Sequence, residues 1–80
     1  MFINKTEDGF NNICGKRITE KRIAMGLSQR ELADKLQLIG LDIDKNAIQR
    51  IECGKRFVTD IEIKYLSRAL DLSYIELLGE

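Results

Sequence analysis

LSQREL, residues 27–32, decides how this chain folds. The order is apolar, serine, two variable residues, glutamate, apolar. A serine hydroxyl in that place accepts from the backbone N–H three residues on, and the glutamate reaches back to the serine N–H. The flanking leucines clip the chain as it turns into a helix. The same order recurs as VTDIEI at 58–63 and LSYIEL at 72–77. Ser28, Thr59 and Ser73 are thus predicted caps, with Glu31, Glu62 and Glu76 as their reciprocal partners. The apolar clips are Leu27–Leu32, Val58–Ile63 and Leu72–Leu77. The spacings between them, 31 and 14 residues, differ, so these are helix starts and not the units of a solenoid.

Working outward, Asp44 is a fourth predicted cap, with Ile43 and Ile48 around it and Ala47 where a reciprocal glutamate would stand. The first helix is expected to begin near Asn12. Its inward stripe would be Cys14, Ile18 and Met25, flanked by the aliphatic stems of Lys21 and Arg22. Gly26 supplies its stop. The expectation is five helices, near 13–25, 29–39, 45–53, 60–70 and 74–79. Leu32, Ala33 and Leu36 face inward on the second, and Ile63, Leu66, Ala69 and Leu70 on the fourth. No strand pattern is present, so the fold class is all-α. Residues 1–11 lack periodicity and are expected to form a flexible N-terminal arm, leaving 12–80 as one domain.

Composition narrows the function. The 80 residues are 44% hydrophobic and 32% charged, which suits one small globular domain. No apolar run approaches the ~18 residues of a membrane helix. The opening MFINKTEDGF turns polar at once, unlike a signal peptide, so a cytoplasmic chain with reduced thiols is expected. There is no histidine and there are only two cysteines, Cys14 and Cys53. Such a set cannot close a zinc site or provide a histidine base. There is also no Gly-rich phosphate loop or nucleophile elbow. Neither an enzyme nor a cofactor or metal is expected.

Net charge is zero but unevenly spread. Residues 13–56 hold ten Lys/Arg and six Asp/Glu, net +4, while 57–80 are net −3 and 1–12 net −1. A basic front can steer a polyanion although the total cancels; charges scattered over a solvated surface would give the same total. On the third helix, at 100° per residue, Ala47, Ile48 and Ile51 fall on one side. Lys45, Asn46, Gln49, Arg50 and Cys53 fall on the other. Arg and Lys pair with guanine O6 and N7, Asn and Gln with adenine N6 and N7, although all four types also suit water. Two neighbours favour nucleic acid. Ser28, Gln29 and Arg30 open the second helix, whose positive end can receive a phosphate. Lys55 and Arg56 bring phosphate charge just after Gly54.

These stretches together resemble a known family. GKRITEKRIAMGLSQRELADKL, NAIQRIECGKR and LSRALDLSYIELL are similar to the phage-repressor (Cro/repressor, or xenobiotic-response-element) type of helix-turn-helix. The resemblance covers roughly residues 13–78. It implies a compact five-helix DNA-binding domain with the helix-turn-helix at helices 2 and 3. Helix 2 would cross the DNA backbone and helix 3 enter the major groove. It implies base reading by Lys45, Asn46, Gln49 and Arg50, phosphate contacts from Gln29, Lys55 and Arg56, and a structural ion pair between Arg22 and Glu52. Both members of that pair lie near inward stripes, where a charge needs a partner.

The passage from Leu36 to Ile48 takes twelve steps, longer than the family usually needs. The additional LIGLD (38–42) is expected to lengthen helix 2 slightly, stop at Gly40 and fold Leu41 back onto Leu36. Ile43 would then plug the core. The function expected is sequence-specific binding of double-stranded DNA by a transcriptional regulator acting as a homodimer. Tyr74, Ile75 and Leu78 on the last helix are the candidate interface. The alternative is a protein-interaction module on the same scaffold, an antitoxin or an accessory regulator subunit with a regulatory protein partner.

Overall fold

The computed structural model describes residues 5–79. It contains α1 (Gly15–Ala24), α2 (Gln29–Leu38), α3 (Lys45–Glu52), α4 (Asp60–Leu70) and α5 (Tyr74–Leu78), and no strand among the described residues. The three predicted capping boxes are all present: Ser28, Thr59 and Ser73 each accept from the backbone N–H of Glu31, Glu62 and Glu76, whose carboxylates answer the cap N–H groups. Asp44 caps α3 alone, through Ala47 N–H at 2.8 Å. Local hydrogen-bond chemistry therefore sets four of the five helix starts.

The start of α1 works differently. Its cap residue, Cys14, makes no side-chain cap bond. Instead Asn12 Oδ1 accepts from Gly15 N–H at 2.8 Å, so the helix begins later than residue 13 while Asn12 still satisfies its first turn. Gly15 is needed for another reason. A Cβ there would run into the Ile51 carbonyl oxygen. The missing side chain lets α1 and α3 cross in close contact.

Cys14, Ile18, Leu32, Leu36, Ile48, Ile51, Leu66, Leu70 and Leu77 are almost wholly enclosed and come from every helix or its cap. Burial pushes the Cys14 thiol up to about 11. Met25 corrects the expected α1 stripe. It is the C-terminal cap residue and is exposed, because the chain turns at Gly26 before its side chain can reach the core.

The extended connection after α2 follows its expected course. Gly40 has φ +110°, and the Leu41 N–H returns to the Leu36 carbonyl at 2.9 Å. Leu41 packs against the core and Ile43 is buried within it. Gln37 Nε2 donates to the Ile43 carbonyl at 2.8 Å, tying the longer turn back to α2. The additional residues are thus folded onto the domain just ahead of Asp44, the residue that starts α3.

Residues 5–12 are irregular, as their lack of periodicity implied, but from Thr6 onward they are fastened. Thr6 N–H donates to the Phe10 carbonyl at 2.8 Å, and Asn11 N–H to the Gly54 carbonyl at 2.7 Å. The first four residues of the expected arm lie outside the described residues.

Candidate nucleic-acid interface

Helix α3 separates two kinds of polar residue. Ile48 and Ile51 hold it on the core, and Ala47 is half-buried beside them. Lys45, Asn46, Gln49 and Arg50 are all exposed. Among the described residues, none of these four side chains has a hydrogen-bond or ion-pair partner. They form one outward strip of donors and amide acceptors. A groove beside its first turn is lined by Arg30, Gln37, Asp34 and Asp44 together with Lys45 and Asn46. Two carboxylates thus flank the cations, so the strip is a patterned surface and not a uniformly positive one.

The other polar end of α3 is turned inward. Arg22 Nε and the Glu52 carboxylate meet at 2.7 Å, with a second bond from Arg22 Nη2 at 3.0 Å. The Arg22 and Glu52 side chains are only 13% and 7% exposed. Arg22 also donates to the Leu27 carbonyl at 2.8 Å, and Gln29 Nε2 donates to Glu52 at 3.1 Å. The hydrogen bonds to Glu52 hold the Arg22 guanidinium above its ordinary pKa. One carboxylate on α3 therefore joins α1 and the start of α2, and its partner Arg22 adds the α1–α2 turn.

The residues expected at phosphates do not form one uniform set. Arg30 and Lys55 are exposed, with side chains that have no partner among the described residues. Ser28 is engaged in its capping box, and the Glu31 carboxylate occupies the same helix end. The hydrogen bonds from Ser28 hold Glu31 below the usual carboxylate range. A phosphate there would meet the Gln29 and Arg30 N–H groups and the Ser28 hydroxyl, against a neighbouring negative charge. Gln29 has one amide hydrogen on Glu52 and one left over.

Arg56 has a partner within the fold that the sequence reading did not name. Its guanidinium grips Glu62 with two bonds of 3.0 and 2.8 Å, the side chains being 33% and 12% exposed. Burial pushes the Glu62 carboxyl up, but hydrogen bonds from Arg56 and the Thr59 backbone outweigh it and hold the group below its ordinary value. Two of the five guanidinium N–H donors are thus closed on a carboxylate, which makes Arg56 a brace between the α3–α4 turn and α4.

On the last helix Tyr74 and Ile75 are 53% and 68% exposed, while Leu78 is half-buried and Leu77 is enclosed. Sequence reasoning missed Phe10 and Asn11 and took Asn12 only as a helix start, yet all three touch the turn after α3. The signal for them was weak: two asparagines in an aperiodic stretch.

Among the described residues, no group of His, Cys, Asp or Glu side chains could hold a metal ion, and no helix is long and apolar enough to cross a membrane. Comparison with known proteins matches residues 18–77 to a family model described as helix-turn-helix. The crystal structure of the restriction-modification controller protein C.AhdI from Aeromonas hydrophila is similar to this chain, with 36% identity and a TM-score of 0.68. The match covers 79% of this chain and 84% of that one. No curated protein matches the chain significantly.

Proposed function

This chain belongs to the Cro/repressor type of helix-turn-helix DNA-binding proteins, and we propose that it regulates transcription by sequence-specific binding of double-stranded DNA. The outward strip of α3 carries this reading. Lys45, Asn46, Gln49 and Arg50 are exposed and unsatisfied by the fold, whereas the polar groups at the inner end of the same helix are closed on one another. Side chains of these types at this density suit base edges in a major groove. Lys55 and Arg30 would meet phosphate oxygens, helped by the Gln29 and Ser28 donors at the start of α2.

Two copies would pair through Tyr74, Ile75 and Leu78 and present two α3 strips to half-sites about one helical turn apart. The exposed Tyr74 and Ile75 support this arrangement. The similarity to a restriction-modification controller supports a regulatory role, and makes control regions of such systems the first natural DNA to try.

In-vitro selection from random duplexes, followed by fluorescence-anisotropy titration of the enriched sequence, tests the proposal. A symmetric enriched site is expected, with affinity falling by a log–log slope near −0.9 for each phosphate neutralised. Absence of any enriched sequence, together with salt-insensitive or undetectable binding, would overturn it. A second reading, an accessory subunit that binds protein, is favoured by one observation: Leu38 at the end of α2 is 87% exposed. A stoichiometric protein complex with no DNA affinity would be its signature.

A further inference from the structure

The turn after α3 is held from the N-terminal side of the molecule. Asn11 donates its N–H to the Gly54 carbonyl at 2.7 Å and its Nδ2 to the Lys55 carbonyl at 3.0 Å. Asn12 Nδ2 donates to the Ile51 carbonyl at 3.1 Å and the Arg56 carbonyl at 2.8 Å. Every carbonyl from Gly54 to Arg56 is therefore taken by these two asparagines. Gly54 is buried at φ +82°, and a Cβ on it would run into the Phe10 ring. Lys16 closes the outside of the segment. Its ammonium stands 5.1 Å from the Phe10 ring centroid and pairs with Asp8 at 2.8 Å.

What this clasp presents is Lys55. The Lys55 N–H is fixed on the Arg50 carbonyl at 2.9 Å and its own carbonyl on Asn11 at 3.0 Å, while its side chain is exposed. Arg56 beside it is spent on Glu62. Without the clasp the glycine-containing turn would keep its N–H bonds to α3 and the Arg56 brace but lose every partner of its carbonyls, and ordering it further on a ligand would weaken binding.

We infer that Phe10, Asn11 and Asn12 are positioning residues for DNA binding, holding the α3–α4 turn so that Lys55 meets a phosphate without being ordered first. This rests on the DNA reading above. A phosphate contact carries no sequence information, so the strap raises affinity for all duplexes and leaves base preference untouched.

Phe10→Ala and Asn11→Ala are the probes. Asn12 is buried and makes three bonds, so its removal would disturb the fold itself. Each probe should weaken binding to the selected duplex and to a random duplex by the same factor, about two- to tenfold. Combined with Lys55→Ala, Phe10→Ala should add less than about a factor of two to the loss from Lys55→Ala alone. Hydrogen exchange of the DNA-free variant should quicken at the Lys55 and Arg56 amides and not at Leu36 or Ile48.

Wild-type affinity in Phe10→Ala, or a loss that adds fully to that of Lys55→Ala, overturns the positioning role and leaves the DNA reading standing. A loss confined to the selected duplex overturns it too, since the strap would then act on base reading. A wild-type chain that binds no duplex removes the DNA reading, and the positioning role with it.

Discussion

Helix α3 carries polar groups at its inner end and along its outer side, and the two groups fare differently. Glu52 accepts two bonds from Arg22 and one from Gln29, largely away from solvent. Arg50, two residues earlier, is exposed and its side chain bonds to nothing among the described residues. The contrast repeats one turn later. Arg56 is closed on Glu62, and its neighbour Lys55 is open. Arg22 and Arg50 are the same residue type, and Arg56 and Lys55 carry the same charge, so neither property separates the engaged group from the open one. Whether the fold itself supplies a partner does, and that separates residues that hold the domain from residues available to another molecule.

The largest effect should come from breaking the inner group. Glu52→Ala leaves a largely buried guanidinium without its carboxylate, and should cost about 3 kcal/mol or more. For a chain of this size that lowers the thermal midpoint by more than ~10 °C. A midpoint within a few degrees of wild type would erase the distinction between the two ends of α3. Arg50→Ala tests the outer side. Stability should stay within ~0.5 kcal/mol, while discrimination between the selected and random duplex falls by about 1–3 kcal/mol. Equal weakening on both duplexes would remove Arg50 from the base-reading set.

Arg56 and Lys55 sharpen the comparison at smaller amplitude. Arg56→Ala should lose about 1 kcal/mol of stability, because its partly exposed pair is screened by solvent, and should leave the salt slope of DNA binding unchanged. Lys55→Ala should do the opposite, reducing the slope by about one with little change in stability. Matching slopes for the two variants would return Arg56 to the phosphate contacts.

The mildest test is pH. Glu31, Glu62 and Glu76 are all held below the ordinary carboxylate range in the folded chain. Such a group adds stability above its unfolded pKa, about 4.3, and loses it as pH falls through the lower folded value. The denaturation midpoint should be level from neutral pH to about 5 and decline below about 4. A midpoint that stays level down to pH 3 would mean that the capping carboxylates contribute nothing measurable.

The helix starts were legible because a capping box is a local pattern: Ser28 and Glu31 are three residues apart in the chain and meet wherever a helix forms. The ion pair of Arg22 with Glu52 came from family resemblance, not from periodicity. Arg56 with Glu62 escaped because Glu62 already had a complete local role as the partner of Thr59. Nothing in the spacing shows that its carboxylate also takes a guanidinium. Met25 failed for a geometric reason, since helical phase means little at the residue where the helix stops. The grip of Asn11 and Asn12 on a turn some 40 residues away was illegible because bonds from aperiodic chain to backbone carbonyls leave no hydrophobic pattern.

The Arg22 guanidinium touches a carboxylate of α3 and a carbonyl of the α1–α2 turn, and Gln29 brings α2 to that same carboxylate. In the proposed complex three helices bonded at one point would dock as one piece, and bending and twisting of the duplex would take up any mismatch of shape. Base pairs that no side chain touches would thereby enter the affinity, most of all at flexible pyrimidine–purine steps.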